Sequence, residues 1–176
     1  MARRVVLIRA INVGGAKLPM ADLREIAKDL GAEDISTYIA SGNLICTPPK
    51  DTDSFDRALE QAIENRFGFF REVISRDVDE LRGALQAHPF TIDDDRFSYI
   101  YALTGTPDAK RAAAFEDRDF GDDELRVVGK DLHIRYANGA GQSTLTAPMI
   151  AKGLGVTGTG RNLRTIRKLI ELADDS

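Results

Sequence analysis

The chain has 176 residues, of which 43% are hydrophobic and 30% charged; this composition is typical of a globular protein with one domain or two small ones and excludes a disordered chain. The formal net charge of −4 argues against a general polyanion binder, so binding of nucleic acid requires a local basic patch. The single cysteine, Cys46, excludes an intramolecular disulfide, and no apolar run approaches the ~20 residues that span a bilayer. We therefore expect a cytoplasmic protein without a membrane partner.

The first half of the chain alternates strand, helix and hairpin signals. Short β-branched runs predict strands, apolar residues at helical spacing predict helices, and glycine-rich or Asp-rich segments predict the turns and caps between them. The predicted elements are a strand over Arg4–Ile11, a loop over Asn12–Lys17, a helix from Pro19 to Gly31, strands over Ile35–Ala40 and Leu44–Thr47, a helix capped within Asp51–Asp53, and a strand over Phe69–Ser75. The order β-α-β-β-α-β is that of a ferredoxin-like unit.

The second half repeats this order after a linking helix, Asp77–Ala87, whose Asp77 and Glu80 have the spacing of a capping box. The predicted elements are a strand over Phe97–Leu103, a helix after Thr106–Pro107, strands over Leu125–Val128 and Leu132–Tyr136, a helix over Ser143–Leu154, a strand over Val156–Thr159 and an amphipathic C-terminal helix. We therefore predict an α+β protein with two ferredoxin-like units. The expected domains are residues 1–76, a linking helix and loop over 77–96, and residues 97–176.

Three blocks of the sequence stand out: LIRAINVGGAKLPMADLR at Leu7–Arg24, TYIASGNLI at Thr37–Ile45 and GRNLRTIRKLIELA at Gly160–Ala173. Together they resemble a bacterial family known as domain of unknown function 1697. The chain departs from the family pattern at Ala10, where glycine is usual, at Thr144, where lysine is common, and at Leu163, where tryptophan is usual. The resemblance implies a fold and transfers no activity, substrate or cofactor.

The glycine-rich loop and the hairpin turn form the first candidate site. Because the first strand of a ferredoxin-like sheet runs antiparallel to the third, the end of one lies beside the start of the other. This placement predicts a shared edge of the sheet that carries Arg9, Asn12, Gly14, Gly15, Lys17, Ser41, Gly42 and Asn43. Backbone N–H groups, the following helix N-terminus and the two cations suit a phosphate or carboxylate. Turn geometry alone also explains the glycines and asparagines.

Arg161 and Asn162 form a second candidate site, at the start of the C-terminal helix. A glycine-rich approach to a helix N-terminus suits an anion, and we expect Arg161 to join the first site from the other half of the chain. The alternative is a solvated amphipathic helix with Asn162 as its N-cap.

Other chemistry has weak support in the sequence. Phe97, Tyr99 and Tyr101 alternate on one strand, as in RNA-binding sheets, but the characteristic RNA-binding motif is absent, so nucleic acid is an unlikely partner. Acidic loops such as Asp93–Asp95 lack a calcium-binding pattern, and the sequence shows no zinc spacing and no nucleophile elbow. We expect no metal and no cofactor, the catalytic residues stay unassigned, and the sequence indicates no oligomeric state.

These observations predict a protein that binds a small anionic ligand at the edge formed by the glycine loop and the hairpin turn. Arg9 is expected to supply the charge, Gly14 and Gly15 the backbone donors, and Ser41 and Asn43 the orienting groups. One alternative is an enzyme that acts on a phosphorylated or nucleotide substrate in the same pocket. Another is a protein-interaction or scaffold module that offers an edge strand to its partner.

Overall fold

The computed structural model describes residues 2–49 and 51–174 and divides the chain into two compact units. The first unit contains the described residues up to Leu81 together with those from Lys168 onward, and the second contains Arg82–Arg167. Each unit has one four-stranded antiparallel sheet with two helices between its strands. In the described part of the chain, no helix has the length and the apolar character needed to cross a membrane.

The first sheet has the strand order β2-β3-β1-β4. Its strands are β1 (Arg4–Ile8), β2 (Glu33–Thr37), β3 (Asn43–Thr47) and β4 (Val73–Asp77), and the helices between them are α1 (Met20–Asp29) and α2 (Thr52–Phe67). The helices cover one face of the sheet because Leu23 of α1 and Leu59 of α2 are fully buried against Val6 and Leu44. This order and connection are those of a ferredoxin-like unit.

The second sheet repeats the topology in the order β6-β7-β5-β8. Its strands are β5 (Ser98–Leu103), β6 (Glu124–Val128), β7 (Asp131–Arg135) and β8 (Gly158–Asn162), and the helices are α4 (Ala109–Glu116) and α5 (Ala147–Leu154). Phe115 and Ile150 pack with Leu132 and Ile134 in its core. The prediction of two ferredoxin-like units is therefore confirmed.

Two further helices lie outside the repeated pattern, α3 (Val78–Gln86) and α6 (Leu163–Asp174). The backbone N–H of Glu80 donates to the Asp77 carboxylate at 2.7 Å, and the Asp77 N–H donates to the Glu80 carboxylate at 3.2 Å. The capping box predicted for α3 is therefore confirmed. Asp51 likewise caps α2 by accepting from the N–H of Asp53 and Ser54.

Several predicted element boundaries in the first unit were wrong because local backbone conformation ends a strand before its apolar pattern ends. β1 stops at Ile8, since Ala10 and Asn12 have φ of +50° and +58°. The predicted strand 35–40 is displaced to β2, and Ile39, with φ of +50°, lies in the turn. The predicted strand 69–75 is displaced to β4, which leaves residues 69–72 irregular.

Two boundaries in the second unit also differ from the predictions. The last strand is β8, Gly158–Asn162, rather than residues 156–159, so Arg161 and Asn162 belong to a sheet. Residues 143–146 precede α5 instead of forming its first turn, because the hydroxyl of Ser143 donates to Asp123 at 2.6 Å and the side chain of Thr146 caps the helix. The irregular polar turn thus replaces about one turn of predicted helix.

Candidate functional site

Three segments meet at one end of the first sheet: residues 9–18 after β1, residues 38–42 before β3, and residues 69–72 before β4. We call these three segments the loop edge. The backbone N–H of Ile8 donates to the carbonyl of Gly42 at 3.0 Å, and the N–H of Arg9 donates to the carbonyl of Glu72 at 3.0 Å. Since β1 is the neighbour of both β3 and β4, its end is the point where all three segments converge.

Asn12 ties the first segment to the second. Its side-chain N–H groups donate to the carbonyls of Leu18 at 2.8 Å and Ala40 at 2.7 Å, while its carbonyl oxygen accepts from the N–H of Leu18 at 2.8 Å. This network confirms that the glycine loop and the hairpin turn are neighbours. These hydrogen bonds use both the donor and the acceptor of the Asn12 side chain. Asn12 therefore positions the loop, and other residues are better placed to contact a ligand.

The predicted hairpin residues mainly build the turn. Asn43 is fully buried and donates to the carbonyl of Tyr38 at 2.9 Å and to the hydroxyl of Ser41 at 3.0 Å. Gly42 has φ of +91°, and a Cβ atom there would lie 2.8 Å from the carbonyl oxygen of Ile8. Only glycine fits this conformation in this space. Ser41 is half-buried in the same turn.

Arg9 lies just beyond β1 rather than on a buried strand face. Its Nε donates to the Glu72 carboxylate at 2.9 Å, and the two side chains are 28% and 24% exposed. A guanidinium paired in this way is already neutralised. Arg9 therefore joins the first and third segments, and its charge is shared with Glu72 instead of being wholly available to a ligand.

The loop Val13–Lys17 is the part of the loop edge that stays open to a ligand. None of the N–H groups of Val13, Gly14, Gly15 and Lys17 donates a hydrogen bond within residues 2–49 and 51–174, and all four residues are exposed. A Cβ at Gly14 or Gly15 would meet no atom within 4 Å. Lys17 has no ion pair in the described residues. Exposed amides next to an unpaired ammonium suit an anion.

Sequence reasoning missed Arg71 and three exposed apolar side chains at the loop edge. Arg71 donates from Nε to the carbonyl of Ala10 at 3.2 Å and has no carboxylate partner in the described residues. Val13, Ile39 and Phe70 are 65%, 51% and 47% exposed, one on each segment. Two of these side chains could have been found from the sequence, because Val13 next to Gly14 and Phe70 after Gly68 are apolar residues in segments typical of turns. No pattern indicated that Ile39 leaves the strand.

Arg161 and Asn162 lie in the second unit. Arg161 is 8% exposed, and its guanidinium donates to the hydroxyl of Thr159 at 2.7 Å and to the carbonyl of Gly160 at 2.9 Å. Burial lowers the pKa of Arg161 to about 10. The Asn162 side chain accepts from the N–H of Thr165 at 2.9 Å and so caps α6. Both residues have structural partners on their own strand or helix.

The comparisons with known proteins agree with the fold. A family of proteins of unknown function, DUF1697, matches residues 1–133. The chain belongs to this family. It is also similar to the conserved bacterial protein SP0830 from Streptococcus pneumoniae, with a TM-score of 0.74, 21% identity and coverage of 99% of both chains. That likeness concerns the fold alone. No curated protein matches the chain.

The structure describes the three residues at which the sequence departs from the expected family pattern. Ala10, where the resemblance led us to expect glycine, has φ of +50°, a conformation that glycine adopts without strain. Leu163, where it led us to expect tryptophan, is fully buried at the start of α6. Thr144 is exposed and lines a cavity of about 300 Å³ that also contains Asp122 and Gln142. The first of these departures is the only one of the three at the loop edge.

The acidic groups nearest in sequence to the glycine loop are already paired. Arg66 binds the carboxylate of Asp22 at 3.0 Å and that of Glu25 at 3.2 Å. In the described part of the chain, no group of three or more His, Cys, Asp or Glu residues is arranged to hold a metal ion. The loop edge thus has exposed amides and the Lys17 ammonium, while the carboxylates of Asp22 and Glu25 are held in ion pairs.

Titratable groups with strongly shifted pKa values lie elsewhere. At the start of β1, Arg4 donates to Ser75 at 3.1 Å, and Ser75 donates to the carboxylate of Asp56 at 2.6 Å. Burial raises the pKa of Asp56 to about 6 and the pKa of Cys46 to about 12. This polar cluster is buried on the helix-covered face of the sheet, at the opposite end of β1 from the loop edge.

The second unit contains a pair of contacting histidines, His133 buried and His88 half-buried. The Nδ1 atoms of His88 and His133 lie 2.9 Å apart, and His133 is 0% exposed. Burial lowers the pKa of His133 to about 4 and also lowers that of His88. The Nε2 atoms of both rings have no hydrogen-bond partner within residues 2–49 and 51–174. The pair is therefore neutral at pH 7, with one ring donating and the other accepting.

Proposed function

We propose that the loop edge binds a small ligand that carries an anionic group, a phosphate or a carboxylate. The observation that supports this most strongly is the run of exposed, undonated N–H groups over Val13–Lys17, next to a lysine without an ion pair. Amide donors and an ammonium group make short, charge-assisted hydrogen bonds to anionic oxygens. The N-cap of α1 is Pro19, whose side chain accepts no hydrogen bond from the first N–H groups of the helix. The positive end of the helix dipole therefore adds to the potential at the same loop.

The roles of the site residues follow from their contacts. Gly14, Gly15 and Lys17 face solvent and are assigned to the anion. Four other residues hold the three segments in place. The polar groups of Asn12, Asn43 and Arg9 are used in contacts within the protein, and Gly42 has no room for a side chain. Arg71 reaches the first segment through Ala10 and supplies a second cation that no carboxylate neutralises in the described residues. Ser41 supports Asn43 from the turn.

The two alternatives raised by the sequence lack a specific observation in their favour. An acid or base positioned beside the loop would favour the enzyme, but the nearby carboxylates of Asp22 and Glu25 are held by Arg66. A scaffold module would offer an edge strand, and the edge strands of the two sheets are β2, β4, β6 and β8. Of these, β2 lacks a regular backbone ladder. The register of β2 shifts between Glu33 and Ser36, with Asp34 at φ of +51°. Such a bulge blunts an edge strand.

Calorimetric titration with inorganic phosphate tests the anion site. We expect Lys17→Met to weaken phosphate binding about tenfold, because a charge-assisted hydrogen bond contributes roughly 1.5 kcal/mol. The matched control is Lys110→Met, an exposed lysine of the second unit. Absence of binding at millimolar phosphate, or equal weakening by both substitutions, would contradict the proposal.

A further inference from the structure

The loop edge presents an apolar surface beside its anion-binding amides. Val13, Ile39 and Phe70, at 65%, 51% and 47% exposure, are the three most exposed large apolar side chains in the described part of the chain. They lie on three different segments, which are joined by the Asn12–Ala40, Arg71–Ala10 and Arg9–Glu72 contacts. The three side chains lie at the same end of one sheet because hydrogen bonds hold their segments together.

Ile39, one of these three residues, has a strained backbone conformation. A β-branched residue rarely adopts positive φ, and Ile39 has φ of +50°. Its side chain recovers little by burial, because half of it remains exposed. Strained residues of this kind concentrate at binding sites. Glycine or asparagine at this position removes the strain, so the isoleucine side chain has no folding advantage here.

The charge around the apolar side chains selects the type of ligand. Lys17 and Arg71 have no carboxylate partner among the described residues, while the one carboxylate of the three segments, Glu72, is paired with Arg9. The surface is thus locally cationic on a chain with net charge −4. A ligand complementary to it combines an anionic group with an apolar part.

We propose, on the basis of the anion site proposed above, that the loop edge binds a phosphate monoester of a flat aromatic group, of the class of nucleoside monophosphates. The phosphate accepts hydrogen bonds from the Gly14 and Gly15 N–H groups and from Lys17. The ring packs on Ile39 and Phe70. Aromatic bases stack on aromatic side chains such as Phe70 with little sequence preference, and a flat ring also covers the exposed apolar surface of Ile39 on the neighbouring segment.

The test compares adenosine monophosphate with ribose 5-phosphate by calorimetry, since the two share the phosphate and the sugar and differ in the ring. We expect adenosine monophosphate to bind at least about tenfold tighter, in line with the gain from stacking one base. Ile39→Asn and Phe70→Ser should each remove most of that gain and leave ribose 5-phosphate binding unchanged. Val128→Ser, at an exposed apolar residue of the second unit, is the control and should change neither.

The outcomes separate this inference from the anion site. If ribose 5-phosphate binds and adenosine monophosphate binds no tighter, or if the gain survives both substitutions, the aromatic ligand is rejected and the anion site stands. If neither compound binds, both proposals are rejected. Thermal unfolding shows that the variants are folded; Ile39→Asn should not lower the melting temperature, because asparagine tolerates positive φ.

Discussion

Replacing Asn12 tests the clamp that assembles the loop edge. Asn12→Ala removes three hydrogen bonds of 2.7–2.8 Å, two with Leu18 and one with Ala40. At about 0.5–1.5 kcal/mol for each hydrogen bond, the loss is roughly 2–4 kcal/mol. Alanine at φ of +58° adds about 1 kcal/mol of backbone strain. We therefore expect the free energy of unfolding to fall by about 3–5 kcal/mol.

Two control substitutions separate the contributions of Asn12. Asn12→Gly loses the same hydrogen bonds but adopts positive φ freely, so it should be about 1 kcal/mol more stable than the alanine variant. Asn12→Asp keeps the oxygen that accepts from Leu18 but places a carboxylate oxygen, which cannot donate, against the carbonyls of Leu18 and Ala40, so its loss should be at least as large as that of Asn12→Gly. Urea denaturation followed by circular dichroism gives the midpoints and slopes. An alanine variant within about 0.5 kcal/mol of the wild type would refute the clamp.

Three further predictions concern the turn and the buried titratable groups. Gly42→Ala should lower the free energy of unfolding by about 2–4 kcal/mol, because the new Cβ overlaps Ile8 and alanine is strained at positive φ. The control is Gly129→Ala, which also has positive φ but has open space around it. Urea denaturation should show a loss of about 1 kcal/mol for this control. Asp56 has a folded pKa of about 6, above its unfolded value of 3.8, so its own contribution to the free energy of unfolding should fall by about 3 kcal/mol as pH rises through this interval. Because other groups titrate in the same interval, urea titrations at each pH compare wild type with Asp56→Asn, and the difference between the two should fall by that amount. His133 has a folded pKa of about 4, below its unfolded 6.5, so its neutral form stabilises the fold fully above pH 6.5, and that contribution is lost as pH falls toward 4. The His133 ring resonances in NMR spectra should therefore still be those of neutral imidazole at pH 5.5, and a midpoint at or above pH 6 would contradict the burial argument.

The element order was predictable because it depends on local periodicity and turn chemistry. Alternating β-branched runs, the Asp51 cap and the Asp77–Glu80 box each report on residues close together in sequence. The antiparallel plan then placed the glycine loop beside the hairpin turn, and the Asn12–Ala40 hydrogen bond confirms it. Strand ends were less predictable, because positive φ at Ala10 and Ile39 leaves no mark on hydrophobic periodicity.

The roles of individual side chains at the loop edge could not be predicted, because they depend on partners distant in the sequence. Arg9 was expected to supply charge to a ligand, and its pairing with Glu72, 63 residues away, cannot be predicted from the sequence. The same holds for Asn43, whose amide is used inside the turn. Arg71, in contrast, looked like part of a strand and instead brings an unneutralised charge to the first segment. Residue type alone therefore overestimates the number of polar groups that remain available to a ligand.

The most direct test of the anion site is an NMR titration of isotope-labelled protein with inorganic phosphate. The proposed donors are backbone N–H groups, so their own resonances report the binding. We predict that the amide signals of Gly14, Gly15 and Lys17 shift together along one saturating curve, accompanied by the neighbouring turn residues Gly42 and Asn43. Gly121 and Gly129, exposed turn glycines of the second unit, should stay in place. Shifts scattered over both units, or none at millimolar phosphate, would contradict the proposed site.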